Sequence, residues 1–174
     1  MTRGPVLALL VLTLAAPQTA AAQPNRFLVV PGHSAGPIDI GMKLDAVKRL
    51  FGQPATADLT SNTHWYEWQA PNNQMGSIAV ETAQNTVILI SLAHDPRYRT
   101  REDVGDGSTL EEMRRVFGQP SSVMRLEGYA ILQYRTQGIG FVTDGSDRVT
   151  GVVIAPAVVT PRPSGRHHLS PAGD

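Results

Sequence analysis

The chain contains no cysteine among its 174 residues. Disulfide bonds therefore cannot stabilise it, and packing alone must hold the fold together. The acceptor for an N-terminal lipid anchor is missing as well, so we expect a mature form without such an anchor. Fifteen basic and fifteen acidic residues give a formal net charge of zero, with no basic cluster. This balance disfavours nucleic acid or an anionic membrane as a partner.

Long apolar runs are absent after the first 22 residues. Those residues combine Arg3, an apolar run from Val6 to Ala16 and the small residues Ala20 to Ala22. This is the pattern of a secretory signal peptide, and the run is shorter than the roughly 20 residues of a membrane-spanning helix. We expect cleavage before Gln23 and a mature protein in the periplasm or the medium.

An internal repeat is the strongest feature of the sequence. Segment 41–54, GMKLDAVKRLFGQP, aligns with segment 107–120, GSTLEEMRRVFGQP, and seven of the fourteen positions are identical. The offset of 66 residues continues to Trp68 and Tyr134. After a loop that differs by four residues, 76–93 aligns with 138–155 at an offset of 62. Similarity of this extent predicts a duplicated unit.

Each copy is predicted to begin with a short amphipathic helix. Apolar residues recur at helical spacing, at Leu44, Val47, Leu50 and Phe51 in the first copy and at Leu110, Met113, Val116 and Phe117 in the second. Ser108 and Thr109 precede Glu111 and Glu112, so a capping box can close the start of the second helix. A glycine and then a proline follow each helix and predict its end.

Three strands are expected after each helix. They are His64 to Gln69, Ser77 to Glu81 and Thr86 to Leu92 in the first copy, and Tyr129 to Arg135, Ile139 to Thr143 and Arg148 to Ile154 in the second. Short polar turns at 82–85 and 144–147 separate the last two strands of each copy. The predicted fold class is therefore α+β, with two tandem αβββ units forming an antiparallel sheet with the helices on one face.

The expected domain organisation follows from these units. It comprises a signal peptide at 1–22, a first repeat at 23–94, a polar linker at 95–106, a second repeat at 107–156 and a disordered Pro-rich tail at 157–174. Residues 27–30 are expected to add a strand at the front.

The helix and its Gly-x-Pro ending resemble a known family. Gly41-Met42, Val47 and Gly52-Gln53-Pro54 are similar to the signature of the small outer-membrane-assembly lipoproteins called SmpA/OmlA or BamE. The tandem organisation over about residues 38–156 resembles that of β-lactamase inhibitor proteins. Both resemblances imply a binding scaffold rather than an enzyme. The chain lacks the acylated cysteine of the first group and the disulfides of the second, so no partner or binding residue is carried over.

The sequence contains no recognisable catalytic motif, neither a Gly-x-Ser-x-Gly elbow nor a P-loop nor a His-Glu-x-x-His pair. The glycine pairs at 105–107 and 138–140 lack the third glycine of a dinucleotide loop. Segment 144–147 lacks the spaced acidic ligands of a calcium loop and is interpreted as a hairpin turn. We therefore expect neither enzymatic activity nor a cofactor.

Histidines offer the best case for a metal. His33, His64 and His94 with Asp95 are conceivable zinc ligands, since imidazole and carboxylate suit zinc. Their spacing lacks the close ligand pairs of known zinc motifs, so surface positions are favoured and no metal site is predicted. The histidines at 167 and 168 are interpreted as solvated tail residues.

Aromatic residues point to a candidate binding surface. Alternation along the first strand sends Trp65 to the face opposite Trp68. In the second copy Ile131 takes the place of Trp65, and the alignment places Ile139 and Phe141 where the first copy has serine and alanine. If the helices cover one face of the sheet, the other face would present a protein-binding surface of Trp65, Ile131, Ile139 and Phe141. Alternatively, these residues pack the interface between the copies.

The leading functional hypothesis is an exported, non-enzymatic protein-binding module, either an envelope scaffold or an inhibitor-like protein. Its partner would be another envelope or secreted protein. One alternative is a periplasmic small-ligand or metal carrier that uses a cleft between the copies, and another is a purely structural envelope protein. Neither a nucleic-acid partner nor a membrane span is expected, and the sequence leaves the oligomeric state open.

Overall fold

The computed structural model describes residues 26–69 and 76–159. The predicted signal peptide and most of the predicted tail lie outside these residues. Within them, strands dominate and only two helices occur, each eight residues long. The strands form one sheet of eight strands and a second sheet of four.

The elements follow one another in two similar halves. Before the first half come β1 (Leu28–Val30), β2 (Ser34–Ala35) and β3 (Ile38–Asp39). The first half comprises α1 (Leu44–Phe51), β4 (Thr56–Asp58), β5 (His64–Gln69), β6 (Ser77–Ala83) and β7 (Thr86–Ala93). After β8 (Arg99–Thr100), the second half comprises α2 (Leu110–Phe117), β9 (Ser122–Leu126), β10 (Tyr129–Tyr134), β11 (Ile139–Asp144) and β12 (Val149–Ile154).

The predicted α+β class with two αβββ units is wrong, because the chain is mainly β. Each half has a fourth strand, β4 or β9, between the helix and the first expected strand. These strands lie at the two outer edges of the large sheet and are mostly exposed, so they lack the alternating apolar pattern of a half-buried strand. The segment before α1 and the predicted linker also contribute strands, which together form the second sheet.

The large sheet is continuous across the two halves. Its order is β4-β5-β6-β7-β12-β11-β10-β9, and every neighbouring pair is antiparallel. The last strand of each half therefore meets the other at a central seam, where Leu92 pairs with Val152 and Ile90 with Ile154. All four of these side chains are buried.

Both helices end and begin as their sequences predict. The Thr109 side chain accepts a hydrogen bond from the backbone of Glu112, and the Glu112 carboxylate accepts one from the backbone of Thr109, which confirms the capping box. No side chain caps α1 at Lys43. Gly52 and Gly118 follow the helices with φ values of +81° and +76°, in a region that glycine adopts without strain.

Both helices contact the same face of the large sheet, which we call the helix-side face. The Phe51 ring lies 6.2 Å from that of Trp68, and the Phe117 ring lies 5.5 Å from Tyr134 and 5.2 Å from Phe141. Directly paired residues of neighbouring strands share a face, and the pairing leads from Trp68 through β6, β7 and β12 to Phe141.

An indole or phenol fixes the end of each helix to this face. Trp68 Nε1 donates a hydrogen bond to the Gly52 carbonyl at 3.0 Å, and the Tyr134 hydroxyl donates one to the Gly118 carbonyl at 3.4 Å. A buried aromatic donor thereby satisfies a carbonyl that the helix end leaves unpaired.

The small sheet, ordered β3-β2-β1-β8, packs into the same core. Val29 and Ile38 are buried in it together with residues of both halves. The loop after β1 also reaches the second half, where the Gly32 N–H donates a hydrogen bond to the Gly138 carbonyl at 3.0 Å. This contact joins the N-terminal segment to the turn between β10 and β11.

The close approach of Gly32 and Gly138 gives a stability prediction. A Cβ at Gly138 would overlap the Cα of Gly32 and the carbonyl of Ala155, and Gly138 has a φ of +72°. Gly138→Ala should lower the free energy of unfolding by about 2 kcal/mol or more. Gly128→Ala is the matched control, because its φ is +82° and no atom lies within 4 Å of the added Cβ. Gly128→Ala should lower the free energy of unfolding by about 1 kcal/mol. Equal losses for the two variants in urea unfolding would contradict the close contact between Gly32 and Gly138.

Candidate binding surface

The four predicted surface residues do not lie on one surface. Phe141 is 0% exposed and Ile139 is 3% exposed, and both belong to the core under the helices. Trp65 and Ile131 are half-buried and point to the opposite face of the sheet. The structure therefore corrects the placement of Ile139 and Phe141 on the open face.

A one-residue register difference explains this error. Ile139 pairs with Tyr134 in the way that Ile78 pairs with Trp68, so Ile139 corresponds to Ile78 and not to the preceding serine. The true offset in this strand is 61 residues rather than the 62 of the sequence alignment. Because side chains alternate along a strand, a shift of one residue moves every side chain to the other face.

The extra residue lies in the hairpin that follows. The first half uses a two-residue loop of Gln84 and Asn85, with φ values of +50° and +62°, which is the backbone of a tight hairpin turn. The second half uses three residues between Asp144 and Arg148, with Asp147 at a φ of +59°. Two- and three-residue loops are both common, so the sequence pattern favours neither alignment.

The face opposite the helices, which we call the helix-free face, has small residues at its centre. Those on the four central strands are Ser77, Ala79, Ser91, Ala93, Gly140 and Gly151. Four larger apolar residues lie among and beside them: Leu89, Ile131, Val142 and Val153. None of these four is fully buried. Small side chains in strand interiors allow another molecule to approach the backbone closely.

A groove of about 300 Å³ runs on this face from β7 of the first half across the strands of the second half. Leu89, Val153, Gly140 and Ile131 line it from four successive strands. The chain after β12 forms one wall, and it is held there by a hydrogen bond of 2.9 Å from the Val158 N–H to the carbonyl of Arg135. The groove is predominantly apolar, with Gln133 and Arg135 as its polar edge.

Trp65 lies on the same face, beside one end of this groove. It pairs with Glu81, which pairs in turn with the groove residue Leu89, so two strand spacings of about 4.8 Å, roughly 10 Å, separate Trp65 from Leu89. Five strand spacings separate it from Ile131. Trp65 pairs with Glu81, whose carboxylate accepts a hydrogen bond from the Thr63 hydroxyl. Nearby, hydrogen bonds from Thr60 hold the pKa of Asp58 below its usual range. The Trp65 end of the face is therefore polar and acidic.

A second cleft, of about 290 Å³, lies on the helix side between the N-terminal segment, α1 and the sheet. Aromatic side chains dominate its lining: Phe27, Phe51, Trp68 and Tyr98. The rings of Phe27 and Tyr98 meet edge to face at 5.2 Å, and the guanidinium groups of Arg26 and Arg97 lie 5.1 and 4.8 Å from the Phe27 ring. Burial raises the pKa of the Tyr98 phenol.

Asp95 is the nearly buried charge of this cleft. Its carboxylate accepts hydrogen bonds from Arg97 Nε at 2.8 Å, from Arg97 Nη2 at 2.6 Å and from the Arg97 backbone at 3.1 Å. These bonds, the side-chain ones above all, hold the pKa of Asp95 below its ordinary value of 3.8 although burial opposes the shift. The carboxylate thus anchors the chain between β7 and β8.

The structure does not bring the conceivable zinc ligands together. Among the residues it describes, no group of three or more His, Cys, Asp or Glu side chains could hold a metal ion. His33 lies in the loop between β1 and β2, His64 begins β5, and Asp95 is occupied by Arg97. Within the same residues, no helix has the length and apolar character to cross a membrane.

No protein-family model matches the chain, and no curated protein matches it. Two solved structures resemble it in fold. One is a cysteine-rich secretory protein from Staphylococcus aureus, 13% identical, with a TM-score of 0.50 over 76% of this chain and 49% of that protein. The other is an extracellular protein containing an SCP domain from Bacillus anthracis, 8% identical, with a TM-score of 0.51 over 82% of this chain and 50% of that protein.

The chain thus spans about half the length of these two neighbours, and the likeness concerns the fold alone. A candidate β-lactamase inhibitor protein from Streptococcus mutans is also similar, at 11% identity over 74% of this chain and 91% of that protein. Its TM-score of 0.30 is too low to inform function. Neither a family model nor these structures support the resemblance to the outer-membrane-assembly lipoproteins.

The lowered pKa of Asp95 predicts a pH-dependent contribution to stability. A carboxyl group with a lowered pKa in the folded state stabilises the fold above its ordinary pKa of 3.8, and this contribution is lost as the pH falls through the lowered value. Asp95→Asn should cost about 1 kcal/mol at pH 7, because Arg97 is partly exposed and solvent screens the pair. The difference between variant and parent should shrink below about pH 4.

Urea unfolding at several pH values measures this difference. Glu127→Gln, which removes an exposed carboxylate in the β9–β10 turn, is the control and should give a small difference at every pH. A constant loss for Asp95→Asn from neutral to acid pH would show that the carboxylate's charge does not stabilise the fold.

Proposed function

We propose that this chain is an exported, non-enzymatic protein-binding module whose binding surface is the helix-free face. One observation supports this proposal above all: the face carries an apolar groove bounded by Leu89, Ile131 and Val153, with a glycine in its floor. A continuous sheet face with half-exposed apolar residues is the kind of surface that a protein partner covers.

The chemistry of the face indicates where such a partner would dock. The central glycine, alanine and serine side chains leave a low floor, and the larger aliphatic side chains stand beside it. A protruding loop or strand of the partner could therefore reach the backbone of β11 and β12 and bury its own apolar side chain in the groove. Gln133 and Arg135 would supply polar contacts at the margin.

The proposed partner is another envelope or secreted protein. This part of the proposal rests on the predicted signal peptide at 1–22. The proposal assigns the chain the role of an envelope scaffold or of an inhibitor of another exported protein.

A small-ligand carrier is the second candidate, because the aromatic cleft on the helix side has the character of a small-molecule site. Four aromatic rings and the guanidinium of Arg26 converge on about 290 Å³. Apolar linings with a few placed polar groups are typical of ligand pockets. This cleft belongs to the first half and the N-terminal segment, and not to the boundary between the halves at which the sequence hypothesis put it.

Capture experiments test the leading proposal. The immobilised protein, Ile131→Lys and Leu50→Lys are incubated with an envelope extract of the producing organism, and bound proteins are identified by mass spectrometry. Ile131→Lys places a charge in the groove and should reduce capture of the partner at least tenfold. Leu50→Lys is the matched control for the groove, because Leu50 is an exposed apolar residue on α1, on the other side of the sheet, where it borders the aromatic cleft.

The expected result is a protein captured equally by the parent and by Leu50→Lys and lost with Ile131→Lys. Circular dichroism and urea unfolding must show that both variants fold. A partner that all three proteins hold equally would contradict the proposed surface, and the absence of any partner would favour the carrier.

A further inference from the structure

Strand β9 is an open edge of the large sheet. Its five residues pair with β10 on one side, and no other described strand pairs with it on the other side. The outward N–H and C=O groups of such a strand are ready to pair with another strand. The opposite edge is β4, which has three residues.

Exposed apolar side chains lie on both faces of this edge, and Arg125 on the helix-side face is its one charged residue. Met124 and Leu126, on the helix-free face, are 53% and 45% exposed, and Val123, on the helix-side face, is 44% exposed. Tyr129 of β10 pairs with Leu126 and is exposed beside it. Open edges are usually short, charged or covered, so an exposed apolar edge indicates a pairing site.

The other edge of the sheet is protected in the usual way. Thr56, Ala57 and Asp58 occupy β4 at the positions that Ser122, Val123 and Met124 occupy in β9, with respect to their pairing partners. A short strand with a carboxylate and no large apolar residue is a poor template for pairing. The two halves thus differ at their edges while they agree in their inner strands.

We propose that β9 pairs with β9 of a second copy of this chain, antiparallel and about a two-fold axis at Met124. In this register Met124 meets Met124 of the other copy, Val123 meets Arg125, and Ser122 meets Leu126. All five residues pair, residues of one face meet residues of the same face, and no like charges stand directly opposite each other. Two-fold pairs are the commonest homo-oligomers, and one exposed edge is sufficient to form them.

The paired sheet would contain sixteen strands, with the two helix-free faces side by side. Met124 would meet its counterpart at the axis and Leu126 would lie beside Ser122 of the other copy, so the exposed apolar side chains of β9 would lose part of their contact with solvent. A single strand pair buries less surface than most stable dimers, so we expect a dissociation constant on the order of 10 µM. The proposal does not rest on the partner-binding function of the preceding subsection.

Charge substitutions at Val123 test the register, because this residue would face Arg125 of the other copy. Val123→Lys places like charges opposite each other twice in the dimer and should raise the dissociation constant roughly fivefold or more. Val123→Glu creates two opposite-charge pairs and should lower it by a similar factor. Ala57→Lys, at the equivalent position of β4, is the control and should leave it unchanged.

Sedimentation velocity of the full chain between about 1 and 200 µM gives the dissociation constants, and hydrogen exchange at the two ends of this range reports on the β9 amides. The expected result is a monomer–dimer equilibrium with opposite effects of the two Val123 substitutions and with protection of β9 at high concentration. A monomer throughout, a dimer that both substitutions affect alike, or assemblies that grow beyond the dimer would overturn the proposal. The capture experiment described above, repeated with Val123→Lys, tests the proposed function separately. A variant that no longer dimerises and still captures the partner would leave the proposed function intact.

Discussion

The pairing of β7 with β12 is the interaction on which the rest of the structure depends. Each half alone would be a four-stranded sheet with one short helix, and neither helix is long enough to be stable without a sheet to cover. At the seam Ile90 meets Ile154 and Leu92 meets Val152, all buried on the helix side. Because the seam is antiparallel and in register, both helices lie on one face and the other face becomes continuous.

The same seam gives the helix-free face its character. On this face Ala93 pairs with Gly151 and Ser91 pairs with Val153, so three of these four residues at the junction of the two halves are small. The candidate groove spans the seam, with Leu89 of β7 on one side and Val153, Gly140 and Ile131 of the second half on the other. The buried side chains that hold the halves together therefore lie on one face of β7 and β12. The exposed side chains that the proposed function requires lie on the other face of the same strands.

The sequence predicts the elements that carry strong local signals. The bounds of both helices, the capping box at Thr109 and the inner strands of each half follow from apolar spacing and turn residues. The predicted fold class fails because β4 and β9 are exposed edge strands without an alternating apolar pattern. The strands of the small sheet have only two or three residues, and β8 pairs with β1 far away in the chain, which local patterns do not reveal. The internal duplication stays a prediction, although the two halves share their order of helix and strands.

The candidate site shows how a small error in alignment changes a surface. Alternation along β5 predicts Trp65 on the helix-free face, the alignment of the two copies predicts Ile131 there, and both side chains lie on this face. The same alignment, which omits the extra residue of the second hairpin, predicts Ile139 and Phe141 on this face as well, but they lie in the core. Sequence patterns do not reveal the groove, because its wall comes from Pro156, the last residue of the predicted second repeat, and from Val158 in the predicted tail.

Reactivity of single cysteines tests the central claim most directly, namely that β11 directs Val142 to the helix-free face and Phe141 to the core. The natural chain has no cysteine, so a thiol at either position is the only one present. In the folded protein, Val142→Cys should react with a maleimide reagent within minutes, whereas Phe141→Cys should react only after unfolding in urea. Rapid reaction of Phe141→Cys and protection of Val142→Cys in folded protein would contradict the register and, with it, the proposed binding surface.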